Sequence, residues 1–356
     1  MALSLATPAP GGWDHAGYDA EDSFYNPGES VVNAGTVGDL APRWSVALRE
    51  KEGACGGPSA PLLSGGGGSV IATDERGISS YRAMTGRLAW RFDWEDPDDS
   101  TTPSMAVSDG VLVAANSDCN SMSDPDGRIV GLDLATGRVR WRIAPPVPVA
   151  SFVVDKGVVV ISGSSPSDEQ VTVAYRATDG RELWRKPLYE ASGVSANGRL
   201  LLVKGKTTTA VTITSGVASW TKNRIWYAES ATPSADRFLV SDGTALTAVR
   251  ASDGAQLWTA EGKQGALIAT DGRRVYRSAE RTVEALDVRN GRRLWWRQLP
   301  AIAGQPMRAG GLLYTGGPVL SAATGQVVAT IEGFQIVKNG WVFSVAGNRL
   351  SGLQPE

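Results

Sequence analysis

Histidine is almost missing from this 356-residue chain, and His15 is its single copy. A Ser–His–Asp triad needs an imidazole beside its nucleophile, and a His-rich metal site needs several, so both are disfavoured. His15 itself lies near the N-terminus and reads as an exposed or capping side chain. Lyase or cyclase chemistry that uses carboxylates or tyrosine needs no histidine and stays open. Charge is nearly balanced, with a formal net of −2. That leaves no field to draw nucleic acid or an anionic membrane surface. No apolar run approaches the roughly 20 residues that span a bilayer, so no transmembrane segment is expected. No helical pattern of 10–15 residues separates the apolar stretches, which disfavours a parallel sheet with crossover helices. The leader Met1–Pro10 lacks the basic region of a signal peptide. It reads as a short disordered leader or as the tail of a removed signal.

Glycine, in contrast, is abundant at 42 residues, as expected where many tight turns need positive φ. Many of these glycines belong to a short recurring motif. Its first copy is Ala83-Met84-Thr85-Gly86-Arg87-Leu88-Ala89-Trp90. It returns as Leu134-Ala135-Thr136-Gly137-Arg138-Val139-Arg140-Trp141 and as Ala177-Thr178-Asp179-Gly180-Arg181-Glu182-Leu183-Trp184. Varied copies end at Trp220, Trp258 and Trp295, a seventh has Ala329 in place of Trp, and a partial copy ends at Trp44. Successive copies from Trp90 to Ala329 stand 34 to 51 residues apart, near the roughly 40 residues of a four-stranded propeller blade.

Each repeat parses into short alternating strands broken by Asp-Gly, Asn-Gly or Ser-Gly turns, which are hairpin signals. In the fifth repeat, strands are expected at Ala231–Ala235, Phe238–Ser241 and Thr244–Ala251, before Trp258. Beyond Ala329 three strands remain, near 334–337, 341–345 and 349–353, and they lack a fourth. The N-terminal strand Arg43–Leu48 lacks the other three. Joining them predicts an all-β, eight-bladed propeller of four antiparallel strands per blade, closed by the N-terminal strand, with no exposed sheet edge at the seam. Residues 1–30 form a lead-in, and 31–356 the single propeller domain. In this scheme Trp44, Trp90, Trp141, Trp184, Trp220, Trp258 and Trp295 are packing elements that fill the wedge between blades.

The motif resembles the tryptophan-docking motif of the quinoprotein, or PQQ-like and BamB-type, propeller family. The resemblance runs from about Trp13 to Leu353, and it includes the lead-in Trp13-Asp14-His15-Ala16-Gly17 and Ser23-Phe24-Tyr25-Asn26-Pro27. It implies the propeller fold. For the dehydrogenases of the family it also implies pyrroloquinoline quinone over Ca²⁺, often against a disulfide of adjacent cysteines. This chain has no adjacent cysteine pair, so no cofactor is expected, with that quinone and Ca²⁺ kept as the alternative.

Strand counting places several irregular loops on one face. Five carboxylates crowd Asp93–Asp99 and three lie within Asn116–Gly127. Asp96, Asp98, Asp99, Asp124 and Asp126 are a candidate Ca²⁺ set with oxygen ligands; the other reading is a solvated acidic rim. Cys55 and Cys119 fall on the same face of adjacent blades. A disulfide between them suits an exported protein, and two free thiols would suit a cytosolic one. Trp94, Tyr189, Glu190, Arg224, Trp226 and Tyr227 share this face, and aromatic and Arg side chains on loops are favoured in recognition. Trp226 and Tyr227 read equally well as cover for the core. The expectation is a non-catalytic, extracytoplasmic, monomeric propeller that binds a protein or small ligand there. The alternative is an enzyme at the propeller mouth, either a degenerate quinoprotein oxidoreductase or a histidine-free lyase or cyclase.

Overall fold

The computed structural model describes residues 13–64, 68–121, 123–263 and 265–356; the leader Met1–Pro10 lies outside them. Eight four-stranded antiparallel sheets follow one another along the chain. From innermost to outermost strand, blade I runs from Leu62–Ser64 to Leu88–Asp93 and blade II from Ser104–Ser108 to Val139–Ile143. Blade III runs from Ser151–Asp155 to Glu182–Pro187 and blade IV from Glu190–Ala196 to Ala218–Lys222. Blade V runs from Tyr227–Ala231 to Gln256–Glu261, blade VI from Leu267–Thr270 to Arg293–Gln298 and blade VII from Met307–Ala309 to Val327–Thr330. Blade VIII takes Phe334–Lys338, Trp341–Ala346 and Arg349–Pro355 from the C-terminus and Leu40–Ala47 from the N-terminus.

Burial follows position in the blade. Second strands lie between two neighbouring sheets and are mostly apolar and buried, as in Val158–Gly163, where every residue is buried. Outermost strands alternate, as in Leu88–Asp93, where only Trp90 and Phe92 are buried. In blades II, III, IV and VIII the hairpin between first and second strands is a two-residue turn with both residues at positive φ: Asp109-Gly110, Lys156-Gly157, Asn197-Gly198 and Asn339-Gly340. That backbone matches the twist of the strands it joins. In blade V the first strand is Tyr227–Ala231, four residues earlier than the sequence suggested. Pro233 has no N–H for a ladder, and Thr232–Asp236 turns instead, held by Thr232 Oγ1 donating to Asp236 (2.6 Å).

Seven tryptophans hold the blades together by one repeated contact. Each indole Nε1 donates to a backbone carbonyl of the next blade: Trp44 to Ala83, Trp90 to Leu134, Trp141 to Ala177, Trp184 to Ile213, Trp220 to Ala251, Trp258 to Val288 and Trp295 to Ala322, over 2.7–3.2 Å. The ring then lies on the motif glycine of that blade. A β-carbon added at Gly137 would stand 2.5 Å from the Trp90 indole, and one at Gly291 would stand 2.6 Å from Trp258. These glycines also sit at φ +69° and +71°, so turn geometry and the close approach both demand glycine. Opposite each tryptophan, the third strand of its own blade carries a small residue: Gly352, Ser80, Gly131, Ala174, Ala210, Ala248 and Ala285.

Ala329 breaks the series, and the seam explains it. In blade VIII the third and fourth strands come from opposite chain ends, so no glycine turn joins them. The 3₁₀ turn Val37–Asp39 stands there instead, with Val37 buried. Ala329 faces the larger Val319, so big and small have traded places.

Trp258 is buried, at 7% exposure, and Trp258→Ala should cost about 3–5 kcal/mol by chemical denaturation. Gly137→Ala should cost about 1–3 kcal/mol. Ala329→Trp should bring no gain, because its partner turn is missing. A loss below 1 kcal/mol for Trp258→Ala, or clear stabilisation by Ala329→Trp, would contradict this packing.

Candidate functional site

The innermost strands line a central channel, and the chain's own lead-in closes one end of it. Residues 13–26 bond to all eight blades in order. Trp13 exchanges backbone hydrogen bonds with Leu63 of blade I (2.8 and 3.0 Å). Val107 N of blade II donates to Asp14 O (2.8 Å). His15 Nε2 meets Val154 O of blade III (2.6 Å). Ser195, Ala231, Thr270 and Arg308, from blades IV to VII, donate their N–H groups to the carbonyls of Ala20, Glu21, Ser23 and Phe24 (2.7–2.9 Å). Tyr25–Asn26 adds a short parallel strand to blade VII, and Asn26 Nδ2 donates to Val337 O of blade VIII (2.6 Å). Just beyond, the buried Glu29 carboxylate accepts from the N–H groups of Val31, Val32 and Gly340, pinning the segment's exit.

This path requires unusual backbone. Tyr18, Asp22 and Phe24 all have positive φ, at 82°, 52° and 51°, a conformation that costs non-glycine residues free energy and clusters at functional sites. Gly17 must be glycine, since a β-carbon there would overlap the Asp22 carboxylate.

Above this floor the channel opens as a funnel toward the face that carries the blade-to-blade loops. It has two halves that meet at Ala16 and Ala60. One, of about 520 Å³, is the more polar, with His15, Asp19, Asp22, Ser104 and Ser151 on its walls. The other, of about 290 Å³, is lined by Trp13, Phe24, Ile302, Met307 and Phe334.

The polar half is electrostatically tense. Burial, followed by repulsion from Asp19 and Glu229, pushes the Asp22 carboxyl up to about 7. Burial and then Asp19 raise Glu21 to about 7, although Glu21 accepts from Asn197 N (3.1 Å). Burial raises Asp19 to about 6, against two hydrogen bonds from Ser23 (3.0 and 2.8 Å). Burial also raises Glu229, on the innermost strand of blade V. His15 is pushed down by burial. Neutral, it donates from Nε2 to Val154 O, which leaves Nδ1 a buried acceptor without a partner.

The residues singled out from sequence do not form one site. Trp226 is buried, at 5% exposure, packed with Val194, Ala228 and Phe238, so it belongs to the core. Tyr227 opens the inner strand of blade V, and its hydroxyl donates to Glu190 (3.0 Å) on the inner strand of blade IV. Tyr189 sits under the ammonium groups of Lys186 and Lys204, 5.7 and 5.2 Å from its ring centroid. Arg224 is exposed. Trp94 stacks edge-on against Phe92 (5.0 Å) in a separate cavity of about 430 Å³ beside Arg128 and Arg142, between blades I and II.

The five aspartates of the candidate Ca²⁺ set are dispersed as well. Asp98 pairs with Lys51, and Asp99 with Arg128 (2.7 Å). Asp96 precedes a 3₁₀ turn, and its carbonyl accepts from Ser100 Oγ (2.7 Å). Asp124 bonds Ser165 and Ser167, with Asp126 nearby. Ion pairs thus occupy two of the five, Asp98 and Asp99. Among the described residues no group of three or more His, Cys, Asp or Glu is arranged to hold a metal ion. Cys55 and Cys119 are joined as a disulfide, with Cα atoms 6.6 Å apart, tying the loop before blade I to a loop of blade II.

Sequence reasoning passed over Asp19, Glu21 and Asp22. The available signal was composition: residues 13–29 carry five carboxylates among four aromatic residues, too rich a mixture for a solvated leader.

The pH response follows from the signs. Asp19, Glu21 and Asp22 hold protons in the folded state at pH values where the unfolded chain, near 4 for each carboxyl, has released them. Their penalty is present above about pH 7 and fades as pH falls toward 4. Asp22→Asn should therefore raise the melting midpoint at pH 8, and its advantage over the parent should shrink below pH 7 and vanish near pH 4. An advantage independent of pH would contradict the assignment.

The chain matches the family model described as outer membrane protein assembly factor BamB over residues 37–147, 145–235 and 225–336. The dehydrogenase subunit of the quinone alcohol dehydrogenase of Gluconacetobacter polyoxogenes is 26% identical over 204 residues, covering 52% of this chain and 26% of that protein. The outer membrane protein assembly factor BamB of Bordetella pertussis is 25% identical over 168 residues, covering 47% of this chain and 38% of that protein. The chain thus matches about a quarter of the dehydrogenase's length and under two fifths of the assembly factor's. The crystal structure of quinohemoprotein alcohol dehydrogenase from Comamonas testosteroni superposes with a TM-score of 0.71 over 99% of this chain and 81% of its own. At 12% identity that likeness is one of fold.

Proposed function

The chain belongs to the PQQ-like propeller family described as outer membrane protein assembly factor BamB, and on that premise we propose a non-catalytic, extracytoplasmic binding propeller. It recognises a protein or small ligand at the face onto which the funnel opens. The observation that carries this reading is the floor of the funnel. The chain fills its own axis with residues 13–26, and His15 is spent on the backbone of blade III. His15 Nδ1 and Ser151 Oγ both lack a hydrogen-bond partner, so they are not bonded to each other as base and nucleophile. Export is supported by the Cys55–Cys119 disulfide, since such bonds persist in oxidising compartments.

Pyrroloquinoline quinone, a planar tricarboxylate, does not fit the residues present. Asp19 and Asp22 would face its carboxylates, and neither half of the funnel is lined by Arg or Lys among the described residues. Like charges this close repel strongly where water is scarce. A second reading, an acid–base enzyme at the propeller mouth, draws on the Asp22 carboxyl near pH 7, a value suited to taking a proton.

Titration of the purified protein with the quinone and Ca²⁺, followed by absorbance and native mass, should give no stoichiometric complex. A one-to-one complex with dye-linked alcohol oxidation would overturn the non-catalytic reading. On export, denaturing alkylation should add mass only after reduction. Two alkyl groups gained without reduction would rule out the disulfide and weaken the case for export.

A further inference from the structure

The two halves of the funnel have complementary chemistry. In the polar half, no side chain of opposite charge pairs with Asp22 among the described residues; the charges acting on it are those of Asp19 and Glu229. Two buried polar atoms on residues of the same wall, His15 Nδ1 and Ser151 Oγ, have no hydrogen-bond partner. Buried polar atoms in folded proteins nearly always find partners. A carboxylate without a cationic partner on the wall of a cavity is a place for a donor-rich cation. The apolar half supplies the rest. Ile302 is 78% exposed and Phe334 51% exposed at its mouth, with Phe24 beneath. Both halves together have the size of a small-molecule site.

We propose that the funnel takes a monovalent organic cation, an ammonium or guanidinium group on an apolar body. Its charge sits in the polar half beside Asp22 and Glu229, and its apolar part lies against Phe24, Ile302 and Phe334. This rests on the reading that the funnel face is the binding face. The cation can be a free amine or the basic side chain of a protein partner, since the recognising chemistry is shared. An ammonium has three donors and no acceptor, which matches a wall that offers carboxylate oxygens.

The test is calorimetric titration of the whole protein at pH 8.5 and low salt with octylammonium, octanol and octanoate. Octylammonium should bind at least about tenfold more tightly than octanol, and octanoate more weakly than either. Asp22→Asn with Glu229→Gln should abolish the preference for the cation while leaving octanol binding intact, with a melting midpoint at or above that of the parent. Asparagine tolerates the positive φ of position 22, so the variant should fold. Phe334→Ser should weaken octylammonium and octanol alike. An acetylated, amidated Leu-Lys-Leu peptide that binds more tightly than octylammonium would assign a protein side chain as the source; the reverse would assign a free amine. Octanol or octanoate binding as tightly as octylammonium would overturn the cation inference and leave the funnel reading standing. If no probe binds, both fall.

Discussion

An indole laid on the glycine of the next blade is the contact on which the rest of this protein depends. A blade cannot bury its own faces and is stable only against its neighbours. The contact has three parts, and each fixes a residue type. The ring needs a turn without a side chain beneath it, its N–H needs a carbonyl of the adjoining blade, and its bulk needs a small residue opposite. Gly137, Leu134 and Ser80 play these roles for Trp90. At the single junction where the turn is absent, the tryptophan is absent too, and Val319 fills the space that Ala329 leaves.

A ring built this way leaves the inward N–H groups of its innermost strands pointing at the axis. The lead-in answers them from Trp13 to Asn26, one blade after another. The same stretch therefore ties the blades together at one end of the channel and closes that end to passage. It also brings Asp19, Glu21 and Asp22 into a place where water is scarce, so their charge is costly and their protons are held more tightly. Structure and site are thus the same residues. What remains open is the funnel on the loop side, polar on one half and apolar on the other.

The architecture was legible because it is periodic. Thr-Gly or Asp-Gly followed by Trp marks the outer strand of each repeat, and Asn197-Gly198 or Asp109-Gly110 marks a hairpin from two residues alone. The partner of each tryptophan was not legible, because the carbonyl and the glycine it meets lie in the next repeat. The small residues opposite it, Gly131 and Gly352 among them, show their purpose only once the strands are paired. Trp226 carries the same aromatic signal whether it points to solvent or to Phe238, and burial decided it. Asp98 and Asp99 form an acidic run on paper, but Lys51 and Arg128 neutralise them in space. The axial segment was the least visible part. Its partners are eight strands spread from Leu63 to Val337, and no local pattern encodes contacts of that range.

The funnel depends on that segment being docked. The most direct test is native-state hydrogen exchange at six amides: Leu63, Val107, Ser195, Ala231, Thr270 and Arg308. Each donates to a carbonyl of residues 13–24. With the segment in place they are buried and bonded, and should exchange only through global unfolding, as slowly as the second strands. If they exchange as fast as exposed loops, the segment is not seated on the axis, and the funnel has no floor.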